Sequence, residues 1–456
     1  MLIRREIMWL ILFLYMTNFF YFAAHCTICL LASIQAEKSS ILKYDVNYLF
    51  LGRLRQEIIV SNPISFKIVG GQLYVPLVTN ETALRYVVVQ NISSSIGRPT
   101  IFKDEYENVY ACWKDITIES KGKTSFEIDY DVLSFDTNFL INSSLVKGYD
   151  PNSDVYDEYV QPEELIQSDN PEIISTAQGV TNDMIDLHEK VFKIYDYVVG
   201  HVQYTRESSE KGALWALENR TGDCSEYSYL FVALCRAASI PAKIQTGFAF
   251  RSDDETLEDG HMWAEYYLEN YGWIPVDATW KDFDSLDHRH FNSLQSIPEP
   301  IPYSNIFFKY TNGPEEQYLQ EEQNVTLTSC SSNAFNSSVM KDVKTTIAKI
   351  QQAKISLTFV KLCGTSTLFP STVKEAEQEL SESRIQLQNA IESWQASPQN
   401  TQTYALDAME NAEKVLQIIW TLALYAFATI VGAIAVVTLI IVIVLKKRNE
   451  RLSKKT

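Results

Sequence analysis

Thr221-Gly222-Asp223-Cys224-Ser225-Glu226, then Gly260-His261-Met262-Trp263-Ala264-Glu265, then Gly272-Trp273-Ile274-Pro275-Val276-Asp277 are the stretches on which the reading of this chain turns. A glycine turn sets a cysteine at the head of an apolar run, and a histidine and an aspartate follow in that order. A thiol, an imidazole and a carboxylate are the parts of a cysteine nucleophile, its general base and the group that orients the base.

The local context predicts the geometry. Asp223 reads as an N-cap accepting from the N–H of Glu226, with Glu226 reaching back, a capping box with Asp in place of Ser or Thr. Cys224 then takes the first helical position, and Leu230, Phe231, Leu234 and Ala238 recur at helical spacing along residues 224–238. Orphan N–H groups, the helix dipole and a neighbouring imidazolium favour a thiolate there, against the nearby Asp223. Residues 261–268 are rich in aromatics and end at the turn Glu269-Asn270-Tyr271-Gly272, with 273–277 as the returning strand. His261 and Asp277 are an even number of residues apart around that turn, which places them on one face of an antiparallel hairpin. Pro275 argues for an edge or a bulge and leaves the register open by a residue or two.

These residues resemble the transglutaminase-like superfamily, whose core has a papain-like Cys–His–Asp arrangement. The resemblance rests on the three stretches above, extended by Arg220 and by Ala278-Thr279, and on Leu234-Cys235-Arg236-Ala237-Ala238-Ser239-Ile240-Pro241-Ala242-Lys243; it covers residues 185–285 closely. A weaker similarity of the β-rich segment upstream is to the N-terminal domain of membrane-anchored prokaryotic members. The resemblance implies Cys224 as nucleophile, His261 as base and Asp277 as orienting acid. Families of this kind also include inactive members.

Each residue has a plainer reading. A cysteine at a helix start is by default a packed residue or half a disulfide, and the His and Asp partners argue against that here. His188, His201, His288 and His290 lack such a setting and are expected at the surface, while Trp263 and Trp273 are expected to pack beside the site. The N–H of Cys224 is a natural oxyanion donor. A second is not evident among Tyr204, Trp215 and Asn219, and the tryptophan donor of animal transglutaminases has no assignable equivalent. Nothing has EF-hand spacing, and no metal or cofactor is expected. The acidic loop 252–259 reads as a solvated loop before a cation site or a site for a basic substrate.

The ends of the chain locate the site. Residues 418–445 are apolar throughout and long enough to span a bilayer. Lys446, Lys447, Arg448, Arg451, Lys454 and Lys455 follow, and the positive-inside rule keeps such a tail in the cytoplasm. Arg4 and Arg5 precede the apolar run 7–34, a signal peptide cleaved near Ser33 or Ala36, or an uncleaved anchor. Cys26-x-x-Cys29 within it reads as chance spacing. Six Asn-x-Ser/Thr sequons, at Asn80, Asn91, Asn142, Asn219, Asn324 and Asn336, lie between the apolar segments, and a glycan on Asn219 would crowd the nucleophile. The formal charge is −18; the basic ends contribute about +1 and +5, so the stretch between carries about −24, which argues against nucleic acid or an anionic membrane surface as ligand. Cys235, about three helical turns after Cys224, cannot bridge it and is expected as a buried thiol. Cys330 and Cys363 could pair, and Cys112 has no evident partner.

The expected fold class is α+β: a papain-like transglutaminase core, preceded by an antiparallel β-sandwich-like domain and followed by a helical stalk and one transmembrane helix. The boundaries read 1–36 leader or anchor, 37–150 β-rich domain, 151–180 acidic linker, 181–300 core beginning with an amphipathic helix over 182–199, 301–415 loop and helical spacer, 418–445 membrane span and 446–456 cytoplasmic tail. In the spacer, 339–355, 373–394 and 404–416 read as helices, the second with Val373, Ala376, Leu380, Leu387, Ala390 and Trp394 near heptad spacing, for an intramolecular hairpin or an oligomerising coiled coil. Two functions follow. One is a single-pass membrane protein with an extracytoplasmic thiol enzyme, a cysteine peptidase or acyltransferase acting at amide bonds of proteins or peptides. The other is a non-catalytic surface binding module that keeps the fold.

Overall fold

The computed structural model describes residues 41–79, 85–104, 106–182, 184–295, 307–310, 320–330, 338–393 and 397–453. The leader, the sequons at Asn80 and Asn336, and Trp394 lie outside the described residues.

Six strands come first: Tyr44–Ser61 (β1), Ile68–Pro76 (β2), Arg85–Ser94 (β3), Thr100–Lys103 (β4), Val109–Ile118 (β5) and Lys123–Phe139 (β6). β1 and β6 pair antiparallel from Tyr44↔Phe139 to Ser61↔Lys123, and β3 continues that sheet beyond β6. β2, β5 and β4 form a second antiparallel sheet. Inward residues of both sheets, among them Leu54, Ile58, Leu73, Trp113, Ile116 and Phe126, share one apolar cluster, a sandwich-like arrangement. The alternation along each strand is what allows it, since every second side chain turns inward.

β1 also serves a second core. Its register shifts between Val46 and Tyr48, and a bulge of one residue exchanges the faces that the strand presents on either side. Tyr44, Val46, Leu49 and Leu51 thereby lie in a different cluster, while Phe50, Leu54, Ile58 and Val60 face the sandwich.

The middle of the chain contributes Asp154–Tyr159 (α1), Pro171–Thr181 (α2), Leu187–His201 (α3), Gln203–Tyr204 (β7), Ala213–Asn219 (α4), Thr221–Gly222 (β8) and Cys224–Ala237 (α5). Then follow Ala242–Ala249 (β9), Glu255–Leu257 (β10), His261–Leu268 (β11), Gly272–Asp277 (β12), Asp282–Phe283 (β13), Ser285–Leu286 (β14) and His290–Gln295 (β15). Five of these make the antiparallel sheet β13-β12-β11-β9-β15. α5 lies against β9 and β11 with α2, α3 and α4 beside it, and its residues from Glu226 to Arg236 are all buried. Burial of this helix is therefore all round and not confined to the side of Leu230, Phe231 and Leu234.

Two expected boundaries differ from the structure. The stretch 151–180 holds α1 and most of α2, and Ile166, Ile173 and Ala177 are buried. The buried guanidinium of Arg236 donates to Gln161 O and Glu163 Oε1, each at 2.6 Å. A buried cation needs such acceptors, so the polar composition that reads as a linker is in part its lining. Within 301–415, Phe307–Lys309 (β16) pairs with β2, and Gln320–Ser329 (β17) pairs with β1 from Gly52↔Ser329 to Ser61↔Gln320. β10 joins the outer edge of β17, and β14 pairs with β6. Phe248, Phe250 and Phe291 sit in the sandwich cluster, so the core and the β-rich segment share an interior.

The C-terminal helices are Ser338–Leu362 (α6), Thr365–Leu368 (α7), Pro370–Ser393 (α8) and Pro398–Ser453 (α9). α6, α8 and α9 bury one another through Val343, Ile350, Leu357, Val373, Leu380, Leu387, Ala408 and Val415, together with the bulged face of β1. Asp45 accepts from Lys354 Nζ (3.1 Å) and Arg384 Nε (2.5 Å), which fixes the bundle to the sheet. The heptad-like residues of α8 that are described are buried within the chain. α9 is long and apolar enough to cross a membrane, and its most apolar stretch is not buried. All five described cysteines are free, so the Cys330–Cys363 pairing is not formed.

Candidate active site

Cys224 is the first residue of α5, and the turn before it explains its position. Asp223 caps the helix, its Oδ1 accepting from Ser225 N at 3.0 Å, and Glu226 Oε2 accepts from Asp223 N at 3.1 Å, completing the capping box. Glu226 Oε1 accepts from Lys211 N at 2.8 Å, tying the preceding loop to the same carboxylate. A Cβ at Gly222 would stand 2.2 Å from Glu226 Cβ, so only glycine fits the approach.

His261 is the first residue of β11, opposite Gly247 of β9. The β11–β12 ladder pairs Ala264 with Val276, so Asp277 lies one residue beyond, across from Trp263. His261 and Asp277 are therefore diagonal neighbours on one face, within the slack allowed by Pro275. His261 Nε2 meets Asp277 Oδ2 at 2.6 Å. Cys224 is near enough to raise the imidazole's pKa and lines the same cleft, and with Nε2 taken by the carboxylate the nitrogen left for the thiol is Nδ1. Trp263 stacks near the ring at 6.1 Å between centroids and Trp280 tilts against it at 5.2 Å. The structure thus brings Cys224, His261 and Asp277 together.

Asp277 is fully buried and has all its acceptors in use: Oδ1 accepts from Thr279 N (2.8 Å) and Trp280 N (3.0 Å), and Oδ2 also meets His290 Nε2 at 3.4 Å. Burial raises its pKa, but His261 and His290 outweigh burial and hold it well below the usual carboxylate range. For His261 burial lowers the pKa, yet the charge and hydrogen bond of Asp277, with a smaller contribution from Cys224, lift it to about 9.

His290 corrects an expectation. Read as a surface residue, it is fully buried, its Nδ1 meeting Asp287 Oδ1 at 2.7 Å while Arg289 pairs with Asp287 Oδ2. Its pKa is raised, burial being outweighed by the two carboxylates. A hydrogen-bonded chain therefore runs His261–Asp277–His290–Asp287, with Cys224 beside its His261 end. His288 is also buried, its ring nitrogens meeting Asp136 Oδ1 (2.6 Å) and Asp253 Oδ1 (2.7 Å). The signal for both was the dense charged run Asp287-His288-Arg289-His290 directly before an apolar strand; their partners, up to 152 residues away, are not visible locally. His261, Asp277 and His290 offer ligand atoms within 4.8 Å of one another. The 2.6 Å contact, however, is a hydrogen-bond length, shorter than the roughly 3.3 Å between two ligands on tetrahedral zinc, and the donor set fits a proton-linked chain better than an ion.

A cleft of about 640 Å³ opens over Cys224 and His261, with Tyr204, Glu207, Thr246, Arg251, Asp259 and Glu321 in its walls. Of the three upstream oxyanion candidates Tyr204 alone lines it; burial, then the charges at Cys224 and Asp223, raise the Tyr204 pKa. Asn219 is exposed and is not among the lining residues. The acidic loop is largely engaged: Asp253 holds His288, Asp254 accepts from Ser329, Glu255 accepts from Arg251 N and Ser252 N, and Asp259 pairs with Arg206 across the cleft mouth.

The sequence profile of the transglutaminase-like superfamily matches residues 174–278. The chain carries a transglutaminase-like core domain. A curated relative, the uncharacterized Bacillus subtilis protein YebA, is 26% identical over 152 residues, which are 28% of this chain and 20% of YebA; the chain spans about a fifth of that relative's length. A crystal structure of a candidate cysteine protease from Cytophaga hutchinsonii aligns at a TM-score of 0.48 and 18% identity, over 63% of this chain and 93% of that one. The periplasmic domain of TgpA from Pseudomonas aeruginosa, bound to ethylmercury, aligns at 0.28 and 19% identity, over 49% of this chain and 89% of its own. The transglutaminase-like core thus comprises α2 to β12, with Cys224, His261 and Asp277 on three of its elements.

Proposed function

We propose that the chain is a membrane-anchored thiol enzyme whose transglutaminase-like core acts outside the cytoplasm on amide bonds of proteins or peptides. The observation that carries this reading is His261, held between Cys224 and Asp277 with its Nε2 2.6 Å from the buried carboxylate, at the floor of an open cleft. Cys224 Sγ attacks the amide carbonyl and forms a tetrahedral oxyanion. The Cys224 N–H, with the Tyr204 hydroxyl as second donor, receives its charge. The imidazolium gives its Nδ1 proton to the departing amine, leaving a thioester on Cys224; water or a second amine then attacks the thioester and His261 takes the attacking group's proton. Water as acceptor makes the enzyme a peptidase or amidase, an amine makes it a cross-linking acyltransferase. Asp277 keeps the imidazole in the tautomer and orientation both steps need.

The anchor reading rests on α9 and the basic residues after 445; the exposed sequons at Asn91, Asn142 and Asn219 agree with an external, glycosylated surface. The alternative, a binding module that keeps the fold, drew support from a missing oxyanion donor and a glycan at the cleft. Tyr204 and the position of Asn219 weaken both supports. Alkylation of the full chain by iodoacetamide across pH, with the modified cysteine located by mass spectrometry, tests the reading. Labelling of Cys224 that is fast near neutral pH and becomes slow in His261→Ala supports it; slow labelling in both makes the chain a binding module.

A further inference from the structure

The helical bundle turns between Leu362 and Pro370, and this end carries apolar side chains that stay exposed among the described residues. Ile355, Phe359 and Leu362 recur at intervals of four and three along α6 and are 68%, 66% and 81% exposed; Leu368 of α7 is 61% exposed. That spacing aligns the first three on one helix face, apart from the buried stripe of Ala353, Leu357 and Val360. Scattered exposed apolar residues are ordinary, but an aligned group of large ones marks contact with a partner or with lipid.

The level of this turn is set by α9. Leu422 is the last residue of α9 in the bundle's apolar cluster, and the ring of Phe369, just after α7, lies 5.9 Å from that of Tyr425. The bundle therefore flanks the first two turns of the apolar stretch that begins at residue 418. Beyond it, about 20 residues remain before Lys446, and their rise of about 30 Å is the hydrocarbon thickness of a bilayer. With those residues across the bilayer, the α6–α7–α8 turn stands where the hydrocarbon begins. Trp420 and Tyr425, both exposed at that level, are the residue types that concentrate at membrane interfaces.

We propose that residues 355–369 sit in the interfacial layer of the bilayer that α9 crosses, with Ile355, Phe359, Leu362 and Leu368 against lipid. The proposal rests on the membrane-anchor reading above. A lipid surface is favoured over a protein partner because the turn that carries the patch touches α9, through Phe369 and Tyr425, near the start of its unburied apolar stretch. Since the bundle is fixed to β1 through Asp45, this second point of contact would hold the external part at a set tilt and leave α9 no freedom to swivel as a stalk.

Cys363, free and exposed beside Leu362, provides the probe. The full chain, with Cys26, Cys29, Cys224 and Cys330 changed to serine, is reconstituted in phosphatidylcholine vesicles and labelled at Cys363 with an environment-sensitive fluorophore; Cys112 and Cys235 are buried. Two control chains that also lack Cys363 carry the label at Ile434→Cys in α9 or at Ser120→Cys, at the far end of the β1–β6 ladder. Brominated lipid is expected to quench the labels at Cys363 and Ile434→Cys but not at Ser120→Cys, and aqueous iodide to quench Cys363 several-fold less than Ser120→Cys. Lipid quenching at Ile434→Cys with Cys363 as open to iodide as Ser120→Cys would overturn the seated turn alone. No lipid quenching at Ile434→Cys would overturn the anchor and the seated turn together.

Discussion

Asp277→Asn separates the charge of the site from its shape. The asparagine Oδ1 can still accept from Thr279 N and Trp280 N, so the local backbone keeps its partners. The carboxylate that faces two imidazoles is replaced by an amide. In the native site burial draws the His261 pKa down from 6.5 and Asp277 drives it up to about 9. Without that charge the penalty of burial is opposed only by the smaller influence of Cys224. A fall of at least about 2.5 pH units, from about 9 to below 6.5, is expected, worth at least about 3.4 kcal/mol at about 1.36 kcal/mol per unit. The asparagine Nδ2 also donates where the carboxylate accepted, so Nε2 of the neutral ring must become an acceptor and the proton moves to Nδ1, which faces the thiol. Such a ring cannot take the proton of Cys224, and turnover should drop on the order of 10⁴-fold. The assay is a titration of the imidazole Cε1–H resonances by NMR; the chain has six histidines, and His261→Ala identifies the signal. Stability supplies a second reading. His261, raised, stabilises the fold fully below about pH 6.5 and loses that contribution as pH rises through about 9, while Asp277, lowered, stabilises above about pH 4 and loses it on acidification. The variant should flatten both limbs. A His261 midpoint in Asp277→Asn within about half a unit of the native value would refute the electrostatic account.

His290→Asn should act in the opposite direction. It removes a cation from Asp277 and leaves the carboxylate to His261 alone, so the same resonance should titrate above its native midpoint; a residue that merely fills space would leave the midpoint where it is. Gly222→Ala places a methyl 2.2 Å from the buried Glu226 Cβ, which is pinned at both carboxylate oxygens. Overpacking of this kind costs about 1–3 kcal/mol, so thermal unfolding should shift down and Cys224 alkylation should slow, since the cap that seats the cysteine is displaced; an unchanged melting temperature with native alkylation would show that the turn does not set the position of Cys224.

The site was legible because its pieces are local. The capping box needs only residues 223–226, the hairpin only 261–277, and the two periodicities, 3.6 and 2, write themselves into short stretches. The order Cys, His, Asp then joins three local signals into one chemistry. His290 escaped because its significance is not local: nothing near it in sequence reveals that Asp277 lies against its ring. Asp287 and Arg289 beside it make the run look like a solvated charged turn, whereas they are the counter-charges that let a cationic histidine be buried.

The same distinction explains the misplaced boundaries. Val325-Thr326-Leu327-Thr328 alternates as a strand should, with Val325 and Leu327 buried, but its partner β1 precedes it by about 270 residues, and a strand alone carries no address for a partner that distant. The bundle was readable as three helices and not as a docked layer, because the surface that receives it exists only after a bulge near Asn47 turns Leu49 and Leu51 to the face of Tyr44 and Val46. The bulge in β1, by setting Leu49 and Leu51 on the face of Tyr44 and Val46, thus lets the C-terminal helices brace the sheet instead of hanging free as a stalk. Drawing Asn47 into the ladder, with the bulge removed, would turn Tyr44 and Val46 to the face of Phe50 and Leu54 and take them out of the bundle's seat. On the membrane-anchor reading proposed above, the placement of the cleft relative to the bilayer would therefore depend on a strand irregularity far from the cysteine as much as on the apolar helix α9.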